Sequence, residues 1–193
     1  MEEEIRLKPK IALKKKEEVA PFVFKEKMQI EMIWQSNTDL DLCLFWKTLD
    51  GSIGGVFSSE YNQNLKDLGS WDSFPYILHS GDEKTPREGG ESNEIIKIRN
   101  LDSIAELYLV VINYEKAIDM IPSTFSQDSG RVEITTDEGD FYEVPIDDDR
   151  EGHVYLICTI TNQNGIKKAV NKGEVMSLGQ AFRNIPGFKL ITE

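Results

Sequence analysis

The sequence predicts an all-β protein, an antiparallel β-sandwich of two sheets with short helical turns. Apolar residues alternate with polar ones over many short runs, turn-forming pairs separate these runs, and helical periodicity is rare. The 193 residues are 39% hydrophobic and 29% charged, with a formal net charge of -12. A chain of this length and composition can bury one substantial core. We therefore expect one sandwich domain, formed by residues 28–193.

Alternation is clearest in two early runs. In MQIEMIW (28–34) every second residue is apolar, and LDLCLFW (40–46) repeats the pattern. Because side chains of a strand alternate between faces, we expect one face of the second run to be buried. That face holds Leu40, Leu42, Leu44 and Trp46. The further predicted strands are SIGGVFS (52–58), FPYILHS (74–80), EIIKIRN (94–100), ELYLVVINY (106–114), GRVEITT (130–136), DFYEVPI (140–146), HVYLICTIT (153–161) and GIKKAVNKG (165–173).

Outside these runs the chain offers two short helical candidates and an N-terminal segment. Single helical turns are predicted within 59–68 and 174–182. Residues 1–27 form either an arm or the first strands of the sandwich. We expect residues 1–7 to be mobile, since their glutamates have no apolar partner, whereas IALKKK and PFVFKEKMQIEMIW enter the sheets.

Charge and cysteines exclude several classes of function. Residues 1–30 carry a net charge of +2, so the rest of the chain carries -14. An acidic body of this size repels phosphate backbones, which disfavours nucleic-acid binding. No run is long and apolar enough for a membrane helix or a signal peptide, so we expect a cytoplasmic protein. Cys43 and Cys158 lie in apolar runs, which favours buried thiols and leaves a disulfide open.

The segment His79 to Glu94, HSGDEKTPREGGESNE, gathers five acidic residues among glycines and a proline. Carboxylate and carbonyl oxygens are the ligands that calcium prefers, and glycine lets carbonyls turn inward. The loop is therefore either a metal-binding loop or a solvated surface loop. No EF-hand spacing occurs in the chain.

A second acidic pair, Asp39 and Asp41, lies at the start of a predicted strand, on one face of it. Two carboxylates side by side either share a cation or face water. Taken alone, the pair is typical of an exposed strand edge that resists aggregation.

Together, the two acidic elements resemble the TerD family of tellurium-resistance and stress-response proteins. The family pattern is a D-[LV]-D strand followed by H-x-G-D-N-x-T-G-x-G-x-G-D-D-E. Asp39 and Asp41 match its first element. His79, Gly81, Asp82, Thr85, Gly90 and Glu94 match the second. The resemblance covers about residues 28–182 and implies a two-sheet sandwich that binds calcium at its loops and acts without catalysis.

The chain departs from the family pattern inside the loop. Glu83 stands where the family has Asn, Pro86 where it has Gly, and Ser92 and Asn93 where it has two aspartates. Loss of two charges implies weaker calcium binding, or one ion in place of two. We expect Asp39, Asp41, Asp82 and Glu94 to form the charged core of the site, with Glu91, Asn93 and main-chain oxygens completing it.

Three hypotheses follow for function. The first is a calcium-binding, non-enzymatic module that acts through protein partners of a stress-response assembly. The second keeps the fold without the metal, with the acidic loop docking a basic partner. The third, a metal-dependent hydrolase, ranks last because no nucleophile motif occurs. The acidic run PIDDDRE (145–151) is predicted to be a solvated hairpin turn rather than a second metal site.

Overall fold

The alternating runs pair into two sheets packed face to face, as seen in a computed structural model that describes residues 11–58, 68–82 and 90–192. The expected mobility of residues 1–7, most of the helical turn predicted at 59–68, and the middle of the acidic loop lie outside the described residues. The strands of the described parts are β1 (Ile11–Ala12), β2 (Val19–Phe22), β3 (Met28–Trp34), β4 (Asp41–Thr48), β5 (Ile53–Val56), β6 (Gly69–Ser70), β7 (Ile77–His79), β8 (Ser92–Ile98), β9 (Ile104–Ile112), β10 (Gly130–Thr136), β11 (Phe141–Ile146), β12 (Val154–Gln163) and β13 (Ile166–Met176).

The sandwich has one seven-stranded and one six-stranded sheet. The first, sheet A, has the order β1-β11-β10-β3-β8-β7-β6, and the second, sheet B, has the order β2-β13-β12-β9-β4-β5. Neighbouring strands are antiparallel except β1, which runs parallel to β11. The first two strands thus join different sheets, β1 sheet A and β2 sheet B. The all-β sandwich that the sequence predicts is confirmed.

The main core lies between the sheets. From β4, the predicted face of Leu40, Leu42, Leu44 and Trp46 is at most 4% exposed. Alternating apolar side chains from β3, β8 and β10 meet them from sheet A. Burial of these side chains in a common interior is the chief stabilising term of the fold.

A second apolar cluster covers the outer face of sheet B. It joins Cys43 and Phe45 of β4 to a C-terminal segment that consists of helix α2 (Leu178–Asn184) and a 3₁₀ helix (Phe188–Thr192). Strand β4 is therefore buried on both faces, and it lies inside its sheet between β9 and β5. The exposed strand edge considered for Asp39 and Asp41 is wrong, because a further layer covers that face.

Two helices differ from the sequence prediction. The run predicted as strand through Tyr114 ends at Ile112, and helix α1 (Tyr114–Ile118) follows, with Asn113 accepting the Lys116 N–H at its start. The helical turn expected at 174–182 lies later, since β13 continues to Met176 and Ser177 caps α2. Asparagine and serine are strong N-caps because their side chains satisfy a free backbone N–H.

The two cysteines face opposite sides of sheet B. Cys43 belongs to the outer cluster and Cys158 to the main core, and both are buried free thiols. The disulfide that the sequence left open is therefore not formed.

Candidate functional site

The acidic pair at 39–41 enters sheet B at one end of β4. Leu40 and Leu42 point into the core, so Asp41 points the other way, towards the face covered by the C-terminal segment. Asp41 is only 8% exposed, which is unusual for a carboxylate. The covering layer takes its side chain out of water.

The neighbouring residue, Leu42, is held by two side chains from sheet A. Strand β5 pairs with β4 only from Leu44 onward, so it does not reach Leu42. The Leu42 N–H donates to Glu94 Oε2 at 2.7 Å, and the Leu42 carbonyl accepts from His79 Nε2 at 2.8 Å. Glu94 and His79 thus replace the missing strand and tie the two sheets together. We call this arrangement the Leu42 clasp.

The tautomer of His79 follows from its contacts. Its Nδ1 accepts from the Gly81 N–H at 2.9 Å, so Nε2 carries the hydrogen that it donates to Leu42. Burial lowers the pKa of His79 to about 4, although the Leu42 hydrogen bond opposes this. At neutral pH the ring is uncharged, so its 3.8 Å approach to Glu94 is not an ion pair. Both ring nitrogens are used, and His79 has the hydrogen-bonding role rather than that of a general base.

Asp41 lies in a strongly unfavourable electrostatic environment. Burial raises its pKa well above the usual value for aspartate, and the charges of Glu94, Asp39, Asp82 and Glu115 raise it further. Residues far apart in sequence, from the two acidic elements, therefore come close enough to repel one another. We call Asp39, Asp41, Asp82 and Glu94 the carboxylate cluster.

The other two predicted ligands lie at the start of β8 and do not join the cluster. Ser92 and Glu94 face inward from β8 and Asn93 faces outward, whereas Glu91 directly precedes the strand and is exposed. Asn93 Nδ2 donates to Glu31 Oε1 at 2.6 Å, and Glu91 accepts from Gln35 Nε2 at 3.1 Å. The structure thus brings together four of the six predicted residues and places two elsewhere.

Sequence analysis missed the contribution of α1. Tyr114 and Glu115 begin this helix beside Asp41, and the pKa of Tyr114 is raised by burial and by the Asp41 charge. The signal was available, because Asn113 followed by YEKAI is a capped helix start rather than the end of a strand.

The donor chemistry of the carboxylate cluster fits calcium. Its groups are all hard oxygen donors, and the one nearby histidine is committed to the Leu42 clasp. In the described parts of the chain, no three acidic, histidine or cysteine side chains stand close enough together to hold a metal ion as they are. A cavity of about 10 Å³ beside Asp41 is lined mainly by apolar groups such as Cys43 and Ile112, so it does not add donors.

The second acidic run of the chain forms an exposed connection from β11 of sheet A to β12 of sheet B, so the predicted hairpin turn is wrong. Asp148 accepts from the backbone N–H and the guanidinium of Arg150, and these bonds lower the pKa of Asp148. Arg150 also donates to the Gly173 carbonyl at 2.6 Å. We call residues 147–151 the acidic turn. Its own Arg150 supplies a positive charge beside its carboxylates.

Comparison with known proteins was made at the level of sequence and of structure. No protein-family model matches the chain. No curated protein matches it in sequence either. No helix in the described parts of the chain is long and apolar enough to cross a membrane.

Two crystal structures have the same fold. One is SCO6318, a homologue of the telluride resistance protein TerD from Streptomyces coelicolor A3(2), with a TM-score of 0.50 and 13% identity over 79% of this chain and 91% of that one. The other is SAV2460, a protein of unknown function, with a TM-score of 0.51 and 10% identity over 81% of this chain and 94% of that one. At these identities the similarity shows the fold, and the chain has a TerD-like fold.

Proposed function

We propose that this chain is a cytoplasmic, calcium-binding and non-enzymatic TerD-like module, which acts through partner proteins in a stress-response or tellurite-resistance assembly. The observation that carries the proposal is Asp41. It is buried, and four neighbouring carboxylates raise its pKa beyond the effect of burial. A protein keeps such an arrangement at a cost in stability, which a bound cation offsets.

The residues that would hold the ion are those of the carboxylate cluster. Asp39 and Asp41 come from the start of β4, and Asp82 follows β7, in the part of the acidic loop that the structure describes. Glu94 adds charge while its Oε2 holds the Leu42 N–H. Calcium would supply two positive charges that offset the repulsion among these groups. It tolerates irregular oxygen shells better than magnesium does.

We propose a non-enzymatic role because neither His79 nor Cys43 is suited to catalysis. His79 uses both ring nitrogens in structural hydrogen bonds, so it has no free position for proton transfer. The thiol of Cys43 lies close to Asp41, and burial raises its pKa well above that of a free cysteine. A buried, protonated thiol is a poor nucleophile.

The second candidate function is a metal-free scaffold, and the hydrogen bonds of Glu94 and His79 favour it. The Leu42 clasp gives Glu94 and His79 structural reasons to be present without any metal, and the described carboxylates are not grouped into a finished ion site. A metal-free scaffold with an acidic docking loop accounts for both facts. It does not account for the raised pKa of Asp41.

Calcium titration of the purified chain separates the two candidates. We expect calcium to raise the melting temperature, since a ligand at a hundred times its Kd stabilises the folded state by about 2.7 kcal/mol. Asp41→Asn and Asp82→Asn should each weaken calcium binding at least tenfold in calorimetry. Asp149→Asn in the acidic turn is the matched control and should bind as the wild type does. A wild-type chain with no calcium response would favour the metal-free scaffold.

A further inference from the structure

Helix α1 ends in a turn whose left-handed position is occupied by methionine. The Ile121 N–H donates to the Lys116 carbonyl at 2.9 Å, and the Met120 N–H donates to the Ala117 carbonyl at 3.4 Å. These bonds are those of a Schellman motif, in which the residue at the position of Met120 is usually glycine. Met120 has φ of 54°. Only glycine adopts this conformation without strain, so the methionine side chain is retained at a cost.

The strained residue belongs to a group of exposed apolar side chains. Ile118, Met120 and Ile121 are 49%, 85% and 48% exposed. We call them the aliphatic knob. In a Schellman motif the residue at the position of Ile121 often packs on the one at the position of Lys116, and here the latter is a lysine. Single exposed apolar residues are ordinary, but three within four positions around a strained turn form a patch.

The backbone that presents the knob is firmly held. His153 Nε2 donates to the Ile121 carbonyl at 2.7 Å, and the Gly152 N–H donates to the Ser123 carbonyl at 3.0 Å. Asn113 Nδ2 donates to Ser123 Oγ at 3.2 Å in a buried contact. A rigid apolar group loses little conformational freedom on binding, which is a property of protein interaction sites.

Acidic groups lie on both sides of the knob. Glu115 and Asp119 are exposed on α1. On the other side, Gly152 and His153, which bond to the knob's backbone, directly follow the acidic turn with its four carboxylates and one arginine. The whole chain has a net charge of -12. This charge opposes contact with a second copy of the chain or with an anionic membrane, and it favours a basic partner.

We propose that the aliphatic knob is a docking site for a partner protein whose contact surface is apolar at its centre and lined with Lys and Arg at its rim. This deepens the partner-binding role proposed above. It does not depend on the carboxylate cluster, because the hydrogen bonds that hold the knob's backbone come from α1 itself and from His153, Gly152 and Asn113, which lie outside the cluster.

A model peptide tests the proposal. The probe is a labelled amphipathic helix with a leucine stripe flanked by lysines, and a version with glutamate for lysine is its control. Fluorescence anisotropy should show binding of the lysine peptide alone, weakened at 0.5 M salt by roughly tenfold or more, as expected for a contact steered by charge. Failure of the wild-type chain to bind the lysine peptide, or equal binding of both peptides, would overturn the proposal.

Substitution at Met120 separates docking from folding. Met120→Gly removes the side chain and suits the left-handed turn, so it should keep or raise the melting temperature while it weakens peptide binding at least tenfold. Met120→Asn should behave alike, because asparagine tolerates this conformation. Ile166→Ser is the matched control: Ile166 is 60% exposed at the turn between β12 and β13, and peptide binding should be unchanged.

Four further outcomes would overturn the proposal. A lower melting temperature of Met120→Gly would give Met120 a role in folding, and equal loss of peptide binding in Ile166→Ser would show that binding is not specific to the knob. Self-association in sedimentation, or binding to phosphatidylglycerol vesicles, that requires Met120 would identify a second copy or a membrane as the occupant. Calcium affinity separates this proposal from the proposed function. Met120→Gly should bind calcium as tightly as the wild type does, so a loss of peptide binding in this variant does not bear on calcium binding.

Discussion

The carboxylate cluster and the acidic turn have similar composition and opposite environments. In the cluster, Asp41 is buried, and neighbouring carboxylates together with burial raise its pKa. In the turn, Asp148 is partly exposed, and its hydrogen bonds with Arg150 lower its pKa. The turn is the denser run of acids in the sequence, but Asp148 bonds to Arg150, whereas Asp41 is buried and repelled by neighbouring carboxylates. Burial beside acidic neighbours therefore marks a candidate site better than the number of acids does.

Acid should destabilise the protein most strongly through His79, which bonds beside the carboxylate cluster and has no counterpart in the acidic turn. His79 has a pKa of about 4 in the folded chain against an ordinary value of 6.5, so its neutral form stabilises the fold above pH 6.5. That stability is lost as pH falls towards 4, and the difference amounts to about 3 kcal/mol. Urea unfolding from pH 8 to pH 4 should show a steeper loss for the wild type than for His79→Gln, which keeps a donor for Leu42 without titrating. Asp41 contributes equally to the pH dependence of both proteins. If the free energies of unfolding of the wild type and His79→Gln fall in parallel with pH, the lowered pKa of His79 is contradicted.

Truncation of the Leu42 clasp should have the next largest effect. Glu94→Ala leaves the buried Leu42 N–H without its acceptor and should destabilise the chain by about 2–3 kcal/mol. Glu94→Gln keeps an acceptor and should cost less. Asp148→Ala, the equivalent truncation in the acidic turn, removes an exposed ion pair and should cost under about 1 kcal/mol. Denaturant unfolding measures all three, and equal losses from the cluster and the turn would remove the distinction between them.

Removal of one carboxylate charge should change stability by a smaller amount, and with opposite sign in the cluster and in the turn. Asp41 has a raised pKa, so its contribution to stability is present below pH 3.8 and is lost as pH rises through its folded pKa. Asp148 has a lowered pKa, so its contribution is present above pH 3.8 and is lost as pH falls. With calcium chelated at pH 7, Asp41→Asn should stabilise the chain by about 1–2 kcal/mol.

Under the same conditions Asp148→Asn should destabilise the chain by less than about 1 kcal/mol. Asp149→Asn should lie within about 0.5 kcal/mol of the wild type. Thermal unfolding in chelator checks all three variants. A destabilising Asp41→Asn would show that the buried carboxylate is compensated by groups in its surroundings, and the cluster would then resemble the turn.

Part of the site could be predicted more closely from the sequence than it was. Strand β8 begins at Ser92, two residues before the predicted start, and its alternation runs through Glu94 into the apolar core. Neighbours on a strand face opposite sides, so Asn93 and Glu94 could not both point into one site. The pattern of the resembling family gave no orientation for these side chains, and the strand geometry did.

The strands could be predicted from the sequence, because alternation is a local property that each run carries without reference to the others. Strands β3 and β10 have the bounds that their alternating runs predicted, and the Leu42 face of β4 is buried as expected. The environment of the carboxylates could not be predicted in this way, because it depends on how the chain packs. Asp41 is buried because a C-terminal segment more than a hundred residues away covers its face, and β5 is too short to reach Leu42, so Glu94 and His79 bond to it across the sheets. Burial and electrostatic repulsion depend on which distant segments meet, and local patterning contains no information about that meeting.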